Sequence, residues 1–255
     1  GGSSTMGQVT DLVLERIEVK NVLTYAYDLI RLTRTTITGC LSHDNGISPG
    51  STWGYSSGFE ILSDDTTLVN CKSWNNGNNG LSSGQSSTVY YRTKVIGCSF
   101  YNNQGDGVYF YGALQDSQVI GCAIQGNAGN GVHLSSVNHA AITGNSITAN
   151  ANAGISFSGT TNTTVIGNVI ELNGTVSPAD ADIYMYGTST NNQIIGNQIN
   201  TGNHSPASIV EQTSTDDYNT FRANVINSGL TITGTHSTVS DARYLGAWQA
   251  STKYY

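Results

Sequence analysis

The chain has 255 residues, with 17 Asp+Glu against 10 Lys+Arg and a net charge of −7. Only 11% of its residues are charged, where an ordinary soluble domain carries about 25%, while 37% hydrophobic residues and 30 glycines supply material for a sizeable core. The acidic balance removes nucleic acid as a default partner, because that binding is largely phosphate neutralisation by Lys and Arg, and no apolar run approaches the roughly 18 residues that span a bilayer, so membrane insertion is not expected.

Residues 1–8, opening Gly1-Gly2-Ser3-Ser4, read as a polar leader or an expression remnant. A repeat follows over residues 9–241. Its copies run Thr35-Thr-Ile-Thr-Gly-Cys40, Thr66-Thr-Leu-Val-Asn-Cys71, Thr93-Lys-Val-Ile-Gly-Cys98, Ser117-Gln-Val-Ile-Gly-Cys122, Ala140-Ala-Ile-Thr-Gly-Asn145, Thr163-Thr-Val-Ile-Gly-Asn168, Asn192-Gln-Ile-Ile-Gly-Asn197 and Asn219-Thr-Phe-Arg-Ala-Asn224, with a weaker copy around Arg16. A second block keeps the same period: Gly58-Phe59, Gly80-Leu81, Gly107-Val108, Gly131-Val132, Gly154-Ile155, Asp182-Ile183, Ser208-Ile209 and Gly229-Leu230. Short β-branched and apolar runs punctuated by Gly, Asn, Asp and Ser are strand-and-turn chemistry. A unit of about two dozen residues without a 3.6-residue period fits one coil of a parallel β-solenoid. The fold class predicted is all-β, a parallel β-helix of about nine coils stacked about 4.8 Å apart.

The register assigns side chains to faces. Ile37, Leu68, Val95, Val119, Ile142, Val165, Ile194 and Phe221 form one inward column, and Phe100, Ile124, Ile147, Ile170, Ile199 and Ile226 another. In the Gly block Val108 points in, Tyr109 out and Phe110 in, by strand alternation. Cys40, Cys71, Cys98 and Cys122 share the column that Asn takes later. In-register neighbours about 4.8 Å apart are poorly placed for a disulfide, so a packed thiol ladder is expected.

These residues resemble right-handed parallel β-helix proteins of the pectate-lyase-like superfamily over roughly residues 9 to 241. Within that span Leu14-Glu-Arg-Ile-Glu-Val19, Tyr25-Ala-Tyr-Asp28 and Ser42-His-Asp-Asn-Gly46 resemble the catalytic modules of mannuronan carbon-5 epimerases. The segment from Ile209-Val-Glu-Gln-Thr to Asp217-Tyr-Asn219 resembles a β-helix ending found there and in phage tail-spike modules. The resemblance implies lyase or epimerase action on an extracellular polysaccharide, with Asp28 and Tyr25 carried over. The family's two histidines fall at Ile30 and Asn79. It also implies an extracellular, cell-surface or virion-surface location, and a homotrimer in the tail-spike case. Residues 242–255, ending Trp248-Gln-Ala-Ser-Thr-Lys-Tyr254-Tyr255, break the repeat and read as an aromatic cap or the start of a further module.

Two longer loops, residues 42–57 and 171–181, are expected at one corner with four coils between them, walling a trough. The first wall carries His43, Asp44, Trp53 and Tyr55, with Glu60 beyond. The second carries Glu171, Asp180 and Asp182, and the floor Asp106, Tyr109, His133 and Tyr184. Carboxylates beside aromatic platforms suit a sugar site, so Asp28, His43, Asp44, Glu60, Asp106 and His133 are the catalytic candidates. Tyr25, Arg31, Trp53, Tyr55, Tyr109, Tyr184 and Asp182 are the substrate-binding candidates. Turn formation is the competing reading for the aspartates, and a solvated strand position for His133. From Val95 to Phe221 there is no Lys or Arg, while eight acids lie there. An anionic polymer is therefore expected near the N-terminal cations Arg16, Lys20, Arg31, Arg34, Lys72, Arg92 and Lys94, and a neutral glycan in the acidic trough. The residues require no cofactor, with Ca²⁺ open as a bridge to an anionic polymer. Tail-spike-like glycan recognition, hydrolysis by a carboxylate pair and a non-catalytic structural spike are the alternatives to a lyase or epimerase.

Overall fold

The computed structural model describes residues 9–46, 56–174, 181–201 and 207–244, and every regular element among them is a β-strand. Short segments repeat three times per coil and pair in parallel with the equivalent segment of the next coil. One ladder, a ten-stranded sheet, runs from Glu18–Lys20 through Leu41–His43, Lys72–Trp74 and Ser99–Tyr101 to Arg243–Tyr244. The other two belong to a single 18-stranded sheet, joined where Tyr27–Thr38 and Phe59–Val69 run through a corner. The first of these carries the Gly blocks and the second the Thr-x-Ile-x-Gly motifs. No helix of the described residues is long and apolar enough to cross a membrane.

The corners explain the repeat. In coil after coil three residues spaced five apart adopt left-handed backbone: Asp65, Asn70 and Asn75, then Arg92, Gly97 and Asn102, then Asp116, Gly121 and Gly126. Each bends the chain by one residue and turns the next side chain inward. At Gly97 and Gly121 the φ of about 60° strains any side chain with a Cβ. That accounts for the Gly before most closing residues. The Gly block has another cause: a Cβ on Gly107 would lie 2.7 Å from the carbonyl oxygen of Gly131, so the coils approach too closely for a larger residue.

The predicted inward columns are buried, Ile37 through Phe221 and Phe100 through Ile226 alike, as are Val108, Phe110, Leu134 and Phe157. The four cysteines are free and buried in one file. The Cys71 amide donates to the Cys98 sulfur at 3.4 Å, and the Cys122 amide to Asn145 Oδ1 at 2.8 Å. Hydrogen bonds with Cys122 and Cys71, reinforced by burial, push the Cys98 thiol far up, so it stays protonated. From there Asn145, Asn168, Asn197 and Asn224 continue the file, each backbone N–H and Nδ2 donating to the next Oδ1 at 2.9–3.0 Å.

A second file is not evident from the first: Asn45, Asn76, Asn103, Asn127, Asn150 and Asn173 bond coil to coil in the same way. Its sequence signal is an Asn five residues after each closing residue in six coils. Strand Arg243–Tyr244 pairs with Val225–Ile226, so the repeat extends past Asp241. The leader of residues 1–8 and the aromatic tail from residue 245 lie outside the described residues.

Asn127→Ala strands the Asn103 amide, leaves Asn103 Nδ2 with Ser73 O alone and Asn150 Oδ1 with one donor of two, and should lower unfolding free energy by about 3 kcal/mol in urea. The thermal midpoint should be the same with and without a reductant, because the thiol file holds no disulfide.

Candidate functional site

The Gly-block ladder presents an outward column, one residue per coil: Asp28, Glu60, Ser82, Tyr109, His133, Ser156 and Tyr184. Two residues on along each strand, Tyr111, Ser135, Ser158 and Tyr186 form a parallel column. The floor predicted from sequence is therefore this face, but its centre differs from a row of open acids.

Glu60 is only 6% exposed although it sits at an outward position, because its neighbours close over it. Burial pushes its carboxyl up to about 7, against hydrogen bonds from Ser82 and Tyr111, and the charge of Asp28 on the adjacent coil adds to the rise. Asp28 itself is exposed, and partial burial raises it too. Burial, with Glu60 and Tyr25 nearby, raises the Tyr111 hydroxyl to about 12. Asp28, Glu60, Tyr111 and Tyr25 thus form one electrostatically connected group, holding the two residues carried over by resemblance and the Tyr111 that sequence reasoning overlooks.

Beyond it, Tyr109 stacks on Tyr111 with ring centroids 4.9 Å apart and leans on His133 at 4.8 Å. His133 Nδ1 meets Asp106 Oδ2 at 3.1 Å, and Asp106 also accepts from the Asn130 amide at 2.6 Å. The buried Nε2 of His133 has no partner among the described residues. Asp106 precedes strand Val108–Gly112 and bonds to the next coil, where it orients an imidazole. Tyr184 lies further along, its ring 5.5 Å from that of Tyr186.

Several candidates lie elsewhere. His43 belongs to the ten-stranded sheet, a different face from Asp28 and Glu60, and is 8% exposed. Its Nδ1 meets Asp44 at 2.6 Å and its Nε2 meets Glu18 at 2.9 Å. Burial opposes the charged ring, but the bonds to Asp44 and Glu18 prevail and raise its pKa. Asp44 is a left-handed corner residue, bonded also to Asn75.

Asp182 is fully buried and lines no trough. It ends the second Asn file: Asn173 donates its Nδ2 to Asp182 Oδ1 at 2.8 Å and its amide to the same oxygen at 3.3 Å. The sequence has no Asn five residues after the closing residue Asn197, and Asp182 supplies the acceptor instead. Arg31 is exposed in left-handed backbone at the register shift after Ile30. Arg34 and Arg92 pair with Asp11 and Asp65, with Nη2 to Oδ2 distances of 2.8 and 2.9 Å. Trp53, Tyr55 and Asp180, with most of both loop walls, lie outside the described residues. Among the described residues no group of three or more His, Cys, Asp or Glu could hold a metal ion.

The family described as right handed beta helix region matches residues 84–243. Among solved structures, the A-module of Azotobacter vinelandii mannuronan C-5 epimerase AlgE4 superposes with a TM-score of 0.80 at 22% identity, covering 90% of this chain and 64% of that one. The periplasmic alginate epimerase AlgG gives 0.57 at 12% identity, covering 91% and 50%. The enzymatically active domain of bacteriophage CBA120 tailspike protein 2 gives 0.50 at 12%, covering 93% and 41%. The chain thus spans under two thirds of each of these three, and at these identities the likeness establishes the fold. No curated protein matches the sequence.

Burial raises the Asp182 carboxyl to about 7 in the folded protein. Its stabilising contribution is full below the ordinary carboxylate range and is lost as pH rises through about 7, by about 4 kcal/mol as an upper bound. The thermal midpoint should therefore fall between pH 5 and pH 8, and Asp182→Asn should flatten that fall, measured by calorimetry at both pH values.

Proposed function

Because the chain belongs to the right-handed β-helix family, we propose that it binds a polysaccharide along the Gly-block face and abstracts a proton from carbon 5 of a uronate residue there. The observation that carries this reading is the buried Glu60, raised to about 7 beside Asp28 and hydrogen-bonded to Tyr111. Carbon-acid chemistry on a uronate needs its carboxylate neutralised, a base at carbon 5 and a proton donor. A protonated Glu60 donates a hydrogen bond to the sugar carboxylate and takes up the charge that builds there when the proton leaves. Asp28 is the base. Tyr111, with Tyr25 beside it, is the proton source.

Return of a proton to the opposite face of carbon 5 inverts that centre. Cleavage of the bond from carbon 4 to the glycosidic oxygen, with Tyr111 protonating the leaving oxygen, gives a double bond between carbons 4 and 5. Tyr109, His133 and Tyr184, with Asp106 orienting His133, contact sugars further along; Glu60 and His133 are three coils, about 14 Å, apart. The mannuronan epimerase, alginate epimerase and tailspike named above support a glycan-processing role and an extracellular or surface location. Calcium bridging an anionic chain to the acidic coils is part of the reading, and assays with calcium and with a chelator measure its share.

A second reading has its own support. Asp28 and Glu60 stand one coil apart in the same outward column, an adjacent carboxyl pair of the kind glycosidases use. A neutral glycan hydrolysed by that pair gains reducing ends and no double bond.

Incubation with polymannuronate, polygalacturonate and neutral glycans, read by ultraviolet absorbance, carbon-5 configuration and reducing ends, separates the two. Asp28→Asn should cut turnover by about 10²–10⁴-fold with binding retained. The wild-type rate should fall as pH rises through about 7, where Glu60 loses its proton. Glu60→Gln, which keeps a neutral donor, should lose that falling limb. Turnover of neutral glycans alone would refute the uronate reading.

A further inference from the structure

We propose a second sugar subsite, on the ten-stranded sheet, that takes one carboxylate-bearing pyranose ring against Tyr101. On this sheet His43, Trp74, Tyr101 and Gln125 follow one another in register, one per coil. The first three rings stack, His43 on Trp74 at 4.0 Å and 8° and Trp74 on Tyr101 at 5.5 Å and 3°. The stack ends at Tyr101 because the next coil carries Gln125. One face of Tyr101 is covered by Trp74, and the other is turned toward the Gln125 coil. At this step the surface dips into a shallow depression lined by Lys72, Ser99, Tyr101, Ala123 and Gln125.

Each lining group has a use in sugar recognition. A phenol ring is a platform for the apolar C–H face of a pyranose, and Ser99 and Ala123 are small enough to leave the floor open to it. The Gln125 amide and the Ser99 hydroxyl offer donors and acceptors for sugar hydroxyls. Lys72 is exposed and forms no ion pair among the described residues. The next acid along the Tyr101 column is Glu171, three coils away, Glu18 is taken up by Lys20 and His43, and Asp44, the acid whose charge reaches Tyr101, is taken up by His43 and Asn75. The ligand favoured is therefore an acidic sugar.

The site is also held ready. Trp74 rests on His43, which Asp44 and Glu18 fix from both ring nitrogens, so Tyr101 lies on a stack with little freedom to lose on binding. Asp28 and Glu60 belong to another face of the coil, so a chain held at Tyr101 leaves that face open. Such a tether raises the local concentration of polymer at the reacting face.

The probes are a β-1,4-linked mannuronate trisaccharide and the neutral mannotriose of the same linkage. The signal is the Trp74-dependent fluorescence change, taken as wild type minus Trp74→Phe. A saturable change with the mannuronate, at least ten-fold weaker with mannotriose, is expected for the wild type. Tyr101→Phe should keep it, Tyr101→Ala should weaken it at least ten-fold with an unchanged thermal midpoint, and Lys72→Gln should make the two sugars equal. No Trp74-dependent change with the mannuronate, or a Tyr101→Ala titration matching wild type, overturns the proposal. Turnover of short substrates by the Asp28 and Glu60 variants is read separately, so either reading can fail while the other stands.

Discussion

Each coil bends three times, and each bend leaves backbone amides inside the tube where water cannot satisfy them. A buried amide without a partner costs about 1–3 kcal/mol, and in this chain the partner comes from the coil above. Among the described residues the Asn103 amide has no acceptor except the Asn127 side chain, and the Asn145 amide none except Asn168. This requirement ties every coil to the next in one register. A slip by one residue would strand the whole file together and turn the outward columns inward.

The files must end somewhere, and two of them end on buried acids. Asp182 receives the second Asn file. Asn192 bonds to Asn219, which in turn donates to Glu211 at 2.8 Å, and Glu211 also accepts from Ser237 and the Gly234 amide. Glu211 is fully buried and burial raises it, as at Asp182. A carboxylate accepts without needing to donate, which suits the last position of a chain of donors. Its burial makes those ends sensitive to pH. The exposed corners solve a different problem: Asp11, Arg34, Asp65, Arg92 and Asp116 alternate in sign along one left-handed column, so each arginine meets the opposite charge of a neighbouring coil.

Rigid stacking also organises the two surfaces on which sugar chemistry is placed. Because parallel strands align equivalent residues, aromatics one coil apart stack without further design, giving Tyr109 beside His133 on one sheet and Trp74 beside Tyr101 on another. The same alignment sets Asp28 beside Glu60, where burial and like charge keep one carboxyl protonated to about neutral pH. The proposed chemistry and the proposed tether are thus two uses of one geometric fact.

The repeat fixes its fold locally, since β-branched alternation, Gly or Asn at left-handed bends and a constant period each act within one coil. Burial of the Ile37 and Phe100 columns, the single file of free cysteines and the outward direction of Tyr109 and Glu60 all follow from that period alone. What a side chain meets across coils does not. Periodicity placed His43 near Asp28 in chain order, yet one further bend carries it to a different sheet, between Glu18 and Asp44. It marked Asp182 as a loop acid, whereas Asp182 is buried as the acceptor of Asn173. It made Glu60 an outward residue, and only the packing of Ser82 and Tyr111 over it decides that it is buried and holds its proton. Face is a property of local backbone geometry, but burial, pairing and charge state are set by neighbours some two dozen or more residues away in sequence.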